Sequence, residues 1–571
     1  MTCVVIFYVT NSPNVYSLQN PTSSAVFEGV TDSSSSPNSN HGDSDKLDIA
    51  IRVGGILNQV DDIFEFSEGQ KYWFTSANDL LNATKATFVV EKPTLESPNV
   101  LGMGEVSWEG TYSGYPITIF DEESHCFFMY YRCIGRDMYY SFSNENLFKS
   151  LQATCVATSE DGLIYTRPQL SLYPLADGNL TNIIHKGPTS HNFAVFLDQS
   201  GLPGTKKFMA IGGVDGFLAA DDGIYLFGSD DGLAFSKLKD TPILTRDHDI
   251  KNDFHSFYDT MNTVAYDKFR QWYWVWLRRN DAGANQSVYP RHIQFTTFSN
   301  LITGSPHSMT FIPIGEDPQL EYYMSCILPV PASQSGSVYA GISIAHPIPD
   351  NALILSRDGK RFTKPSGNDR EYLEDPFLES RGERNDYHFR YRYSCVPGIH
   401  SFSKGEKWLF YFTFFRHHYH HLRPSGETTA VIRAYSVPQW GFTHVHANTG
   451  SFFLKPMKIK ESSLLHTGTA NLHFMARASQ SSKLVSRIRF LFHHCTLSGK
   501  EQHVDAFWEW TSEWYSVGEA GNRNSSVKEF VFREADQRKL VASIAESRGQ
   551  EGRYIVWKVE LQESSLHALW I

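Results

Sequence analysis

The chain has no apolar stretch approaching ~20 residues, so no helix is expected to cross a membrane. It has no basic run that could follow a phosphate backbone, and its net charge is -11, which speaks against nucleic acid as a partner. Cysteine is sparse: Cys3, Cys126, Cys133, Cys155, Cys326, Cys395 and Cys495, with no C-x-x-C pair, so no zinc site is expected. An odd, scattered set reads as buried free thiols rather than a disulfide framework. The short apolar run Val4–Val9 has no basic residues before it and reads as no more than a weak or truncated signal peptide, so localisation stays unknown, with secretion left open. The N-x-S/T tripeptides at Asn82, Asn179, Asn285 and Asn524 are no more than chance supplies and decide nothing about location. Helix signals are few throughout.

What the chain does have is aromatic residues, 14% of the total, and a repeated phrase. The phrase is Ser, any residue, Asp-Gly, two residues, then an aromatic. It occurs at Ser159–Tyr165, Ser229–Phe235 and Ser356–Phe362, each time after an apolar run that reads as a strand. Asp-Gly between strands predicts a tight hairpin, because glycine accepts the positive φ such turns need. A hairpin recurring at one place in a long period means one β-unit built several times, which is how a propeller looks in sequence.

Five units can be laid side by side. Their first two strands are Thr111–Phe120 with Cys126–Arg132, Asn192–Leu197 with Lys207–Gly212, Met261–Tyr266 with Gln271–Leu277, Met324–Val330 with Val338–Ala345, and Tyr393–Phe402 with Lys407–Phe414. The repeated phrase is degenerate in the third unit, near Ser299-Asn300, and in the fifth, near Pro438–Gly441. The expected fold is therefore all-β: a five-bladed β-propeller followed by a β-sandwich domain. Residues 1–45, rich in Ser, Asn and Pro, are expected to be disordered. Residues 46–454 form the propeller with an N-terminal lead-in. Residues 455–571, where the phrase disappears but alternation persists, form the sandwich.

Blade topology separates two ends. Loops joining third to fourth strands lie at one end, so Asp161, Asp231 and Asp358 read as turn-formers. Entries to first strands and exits from second strands lie at the other. That end collects Trp108, Glu109 and Arg132; His191, Asn192 and Asp215; His255, Asp259, Asn262, Arg278 and Arg279; Glu321, Tyr322, Tyr323 and His346; and Arg390–Tyr393 with His417–His421 beyond.

These positions carry a resemblance. Trp108-Glu109-Gly110, Ser159–Gly162 running into Thr166–Leu170, Asp259–Asn262 with Tyr266-Asp267, and Gly441-Phe442 leading to Lys455-Pro456 resemble the five-bladed propellers of glycoside hydrolase families 32 and 43. The likeness looks closest to a bacterial group labelled by a family-32-type N-terminal domain, and it runs from about residue 70 onward. Such a relationship implies glycosidic-bond hydrolysis by a carboxylate pair. Family 32 places an Asp nucleophile on blade one, a stabilising Asp on blade two and an acid/base Glu on blade three. Here blade one offers Glu109, blade two His191-Asn192 and blade three Asp259, which speaks against sucrose or fructan as substrate.

Glycoside hydrolysis needs two carboxyl groups flanking the scissile bond. Asp259 is expected as nucleophile or general base, Glu109 as the facing acid, and Glu321 as a third catalytic candidate. Arg278 and Arg279 could hold a substrate carboxylate or sulfate through paired N–H donors. His191, Asn192, His346, Tyr393 and His417 are expected to bind substrate hydroxyls. The run Arg416–His421 is read as a sugar-binding loop rather than a metal site, and no cofactor is expected. The leading reading is a hydrolase, with an acidic or sulfated glycan as the favoured substrate. The alternatives are a non-catalytic glycan-binding propeller and a six-bladed sialidase, the latter disfavoured by the five units. Oligomeric state is left open.

Overall fold

The computed structural model describes residues 64–66, 71–76, 79–109, 114–134, 152–190, 192–213, 223–245, 258, 261–280, 291–312, 321–322, 324, 326–331, 338–346, 350–365, 393–415, 430–454, 457–459, 473–478, 485–496, 510–512, 514–519, 528–533, 535–538 and 553–570. The Ser/Asn-rich segment 1–45 lies outside them.

The described chain is all-β, and five of its sheets have four strands each. The first runs Gly114–Asp121, Cys126–Ile134, Gln152–Ser159, Ile183–Lys186, each strand antiparallel to the next. The second runs Ala194–Leu197, Phe208–Gly212, Tyr225–Ser229, Ser236–Lys237. The third runs Thr263–Asp267, Trp272–Asn280, Arg291–Phe298, Thr310–Phe311. In the fourth, Glu321–Tyr322 and Ile327–Pro329 share Tyr339–His346 as partner, with Asp350–Ser356 beyond. The fifth runs Tyr393–Phe402, Lys407–Phe415, Ala430–Pro438. Its fourth strand, Thr94–Met103, comes from ahead of the first sheet and pairs Leu101 with Ile432.

Alternating aromatic and aliphatic residues cover both faces of these sheets, and burial of both faces is what such doubly apolar strands require. Successive sheets share apolar cores. Val100, Leu101 and Met103 pack with Met129, Tyr131, Leu409 and Tyr411 between the fifth and first sheets. Trp274, Trp276, Ile327 and Tyr339 pack between the third and fourth. The first strands touch in the order first, second, third, fourth, fifth, and the fifth touches the first again.

The remaining sheet has twelve strands. Its long strand Arg553–Trp570 pairs with Thr443–Leu454, His473–Ala478 and Val485–Thr496. Lead-in strands, Lys71–Trp73 among them, join the same sheet. Phe474, Phe490, Tyr515, Phe532 and Trp557 form its core. The lead-in is anchored to the fourth sheet by Arg357, whose Nε donates to the Trp73 carbonyl at 2.7 Å and whose guanidinium pairs with Asp79.

The repeated phrase is not a tight hairpin, which corrects the sequence expectation. Pairing resumes only at Thr158↔Thr166, Gly228↔Ser236 and Leu355↔Thr363, so the intervening loop is long. Side chains rather than turn type organise it. In each copy the Ser Oγ accepts the Gly N–H, at 2.9, 3.0 and 2.9 Å. The Asp Oδ1 accepts the next two amides, as Asp161 does from Leu163 and Ile164 at 2.8 and 3.0 Å. Asn300 does the same for Ile302 and Thr303 in the third sheet, so the degenerate copy keeps the device.

Each of the three loops is also bonded to a neighbouring sheet. The Gly162 carbonyl accepts from Tyr411 Oη at 2.8 Å, Gly232 from Tyr130 Oη at 3.0 Å, and Gly359 from Trp276 Nε1 at 3.2 Å. All three donors are the fifth residue of their sheet's second strand. First sheet binds second, third binds fourth, and fifth binds first.

The thiol expectation is also corrected. Cys133 and Cys155 are disulfide-bonded between adjacent strands of the first sheet, and Cys326 is bonded to Cys395, joining the fourth sheet to the fifth. The Cα–Cα distances of 5.8 and 6.6 Å suit a bridge. Only tertiary adjacency produces these pairs, and the sequence separations of 22 and 69 residues carry no motif. Cys126 is free and half-buried.

Candidate functional site

The two ends of the five sheets differ in chemistry. At the end holding the Asp-Gly loops, polar side chains are used between sheets. Asp121 pairs with Lys207 at 2.9 Å, Asp198 accepts from Tyr273 at 2.6 Å, and Asp267 accepts from Tyr339 at 2.8 Å. Each carboxylate stands at or one residue past the end of one sheet's first strand and is bound by a residue at or next to the second strand of the following sheet.

At the opposite end, where first strands begin, the backbone itself is unusual. Tyr115, Asn192, Tyr258 and Cys326 have φ of 50, 55, 62 and 20°, one at each entrance of the first four sheets. Non-glycine residues seldom hold that region, but it is not confined to this end: His125, Gln271, Ser403 and Lys404, in the turns from first to second strands, have φ of 50, 58, 52 and 58°. In the first sheet the register shifts between Gly114 and Ile117, and the Arg132 guanidinium lies 4.3 Å from the Tyr115 ring centroid. That stacking holds a buried cation against an aromatic face.

At the entrance of the second sheet Asn192 is buried beside Phe193, and His185, on the fourth strand of the first sheet, stacks on Phe193 while its Nε2 lies 2.8 Å from Thr189 Oγ1. Burial, then the nearby Lys237 charge, lowers the His185 pKa to about 4, so this ring is neutral in the folded protein near neutral pH. In the third sheet Asn262 ties the strand entrance together. Its Nδ2 donates to the Tyr258 carbonyl at 3.0 Å, and its Oδ1 accepts from the Arg278 backbone at 3.2 Å. Arg278 is buried and Arg279 half-buried.

Glu321 and His346 are direct cross-strand partners in the fourth sheet, so the backbone brings two of the expected site residues together. Tyr393 opens the first strand of the fifth sheet opposite Phe414. Cys395 lies on the strand that Tyr393 opens, and the disulfide ties it to Cys326, just ahead of Ile327–Pro329 in the fourth sheet. Asp259, His191 and His417 lie outside the described residues, as do Asp215, His255 and the rest of the His417–His421 run.

Glu109 has different surroundings. It is fully buried, and Arg167 grips it with Nε at 2.6 Å and Nη2 at 3.0 Å. Tyr131 Oη donates to it at 2.5 Å and the Gly104 amide at 2.9 Å. Asn182 Nδ2 supports the Tyr131 oxygen at 2.8 Å, and Trp108 Nε1 reaches Asn182 Oδ1 at 2.7 Å. Burial and then the Glu109 charge push the Tyr131 phenol well above its usual range, so it stays a donor. Desolvation of Arg167 is outweighed by its bonds to Glu109, so its guanidinium stays charged. A bidentate pair with two further donors is a satisfied buried ion pair. Arg167 stands two places after the motif aromatic Tyr165, which is the one sequence signal that could have linked it to Glu109.

Among the described residues no group of three His, Cys, Asp or Glu side chains could hold a metal ion, and no helix is long and apolar enough to cross a membrane.

No family model matches the chain, and no curated protein matches it. Solved structures that resemble it are mostly glycoside hydrolases. A Bombyx mori GH32 β-fructofuranosidase, BmSUC1, is 9% identical with a TM-score of 0.34, covering 84% of this chain and 92% of its own. The Podospora anserina α-L-arabinofuranosidase PaAbf62A, in complex with cellotriose, is 8% identical with a TM-score of 0.36, covering 61% and 98%. A GH130 structure, titled for hydrolases that target β-1,2 mannosidic linkages in Candida mannan, is 12% identical with a TM-score of 0.35, covering 62% and 94%. Superposition this loose carries no argument about the chemistry of this chain.

Proposed function

We propose that the five four-stranded sheets are blades of a propeller, that residues 455–571 form a β-sandwich domain beside it, and that the strand-entry end binds and cleaves a glycan. The cyclic contact of the first strands supports the propeller reading, as does the placing of the outermost strand of the fifth sheet ahead of the first. The single observation that carries the site is the set of buried polar groups at the strand entrances, Arg132, Asn192, Asn262 and Arg278, with Glu321 and His346 paired across strands beside them.

In this reading Asp259, next in sequence to Tyr258, is nucleophile or general base. Glu321, paired across strands with His346, is the facing acid. Glu109 serves instead as a clasp, because both its oxygens are held by Arg167, Tyr131 and Gly104. Arg278, Arg279, His191, Asn192, His346, Tyr393 and His417 are the substrate-contacting set, and the arginines favour an acidic or sulfated glycan. A second reading, a glycan-binding propeller without turnover, is favoured by the sequestered Glu109 carboxylate. A panel of neutral, uronic and sulfated oligosaccharides, assayed both for binding and for reducing-end release, separates the two. Release lost in Asp259→Asn with binding kept supports the hydrolase. Binding without release in the unmodified chain supports the module. Neither binding nor release across the panel overturns both.

A further inference from the structure

We propose that Asn179 carries an N-linked oligosaccharide and that the chain matures in an oxidising, glycosylating compartment. This goes beyond the glycan-processing reading and stands without it. Two independent observations meet here. The first is the pair of disulfides, Cys133–Cys155 and Cys326–Cys395, which form and persist outside reducing compartments. The second is the tripeptide Asn179-Leu180-Thr181, just ahead of Ile183–Lys186, the fourth strand of the first sheet.

The local structure suits the modification. Leu170 and Thr181 pair backbone to backbone, and the chain between them turns at Leu175–Asn179 through two backbone bonds of 2.8 and 2.9 Å. Asn179 is exposed at this tip. Its Nδ2 donates to Asp177 Oδ2 at 2.8 Å. The amide nitrogen carries two hydrogens. One can be replaced by a sugar while the other keeps the Asp177 bond. The step is a substitution on a polyprenyl-diphosphate-linked oligosaccharide. The Nδ2–C1 bond forms, the C1–O bond to diphosphate breaks, and the amide proton passes to the transferase.

Thr181 adds a timing constraint. It is fully buried, donating to the Tyr173 carbonyl at 2.7 Å and accepting from the Ile183 amide at 3.3 Å. Recognition of its hydroxyl must precede folding of this segment, so attachment comes before the first sheet closes over it. Leu180 and Leu172 are 40% and 43% exposed beside the acceptor, apolar surface that an attached glycan would cover.

The test is to secrete the full chain from insect cells and map its peptides under non-reducing conditions, with and without peptide N-glycosidase. The expected result is an occupied Asn179 in a chain whose Cys133 and Cys155 are linked. Asn179→Gln should lose that glycopeptide and gain mobility on a gel, while Thr181→Ser, which keeps the tripeptide, should retain it. A secreted, disulfide-linked chain in which Asn179 is recovered wholly unmodified overturns the proposal. The map of the unmodified chain decides even if a variant fails to leave the cell.

Discussion

Tyr411 donates its phenolic hydrogen to the carbonyl of Gly162 at 2.8 Å, joining residues 249 positions apart and tying the fifth sheet to the first. Tyr411→Phe removes two buried bonds, this one and the one Tyr165 Oη donates to Tyr411 Oη at 3.1 Å, and should cost about 2 kcal/mol. Gly162→Ala should cost more, because φ there is +74° and a Cβ would stand 2.8 Å from the Tyr411 hydroxyl. Urea denaturation of the two variants checks both the order and the sign.

Arg167→Ala leaves Glu109 buried without its counter-ion and should destabilise the protein by about 3 kcal/mol. If Glu109 is a clasp, Glu109→Gln lowers stability while leaving specific turnover of the folded fraction unchanged. Turnover measured per folded molecule, with denaturation curves alongside, separates the clasp from a proton donor.

His400 sets a pH dependence. Its ring is nearly buried, 2.8 Å from Thr118 Oγ1, in the seam between the fifth and first sheets. Burial lowers its pKa from 6.5 to about 3. The unfolded chain therefore binds the proton more readily, and stability contributed by the neutral ring is present above pH 6.5 and lost as pH falls from 6.5 toward 3. The loss approaches about 1.4 kcal/mol per pH unit within that window. His400→Gln should reduce the slope there, leaving the part contributed by His185 and His444, whose pKa values burial also lowers, to about 4 and about 3, as read by melting temperature against pH.

Much of the strand order is legible from local pattern. The expected Tyr393–Phe402 coincides with the observed strand, and Cys126–Arg132 falls inside Cys126–Ile134. The loop residues are legible too, since Ser, Asp and Gly act on amides within three positions of themselves. What is not legible is closure. Thr94–Met103 finds its partner in Ala430–Pro438, and the tyrosine and tryptophan donors reach loops that follow no shared spacing. Both disulfides and the Arg167–Glu109 pair are of this kind: each partner looks ordinary until the sheets pack. The positive φ at Tyr115 and Tyr258 leaves no mark in the sequence.

The Cys326–Cys395 bridge holds the entrances of the fourth and fifth sheets together. Replacing both cysteines with serine should cost about 2–4 kcal/mol. Alkylation of the unreduced, denatured protein followed by mass mapping should leave all four bridged cysteines unlabelled.

The most direct measurement of the central claim is turnover of the panel glycan that binds best, compared between the unmodified chain and Asp259→Asn at matched folded concentration. The account predicts measurable release that falls by at least about a hundredfold in the variant while glycan affinity stays within a few-fold. Equal release by both chains, or glycan binding that survives alanine at Arg278, Asn192 and Tyr393 together, would contradict it.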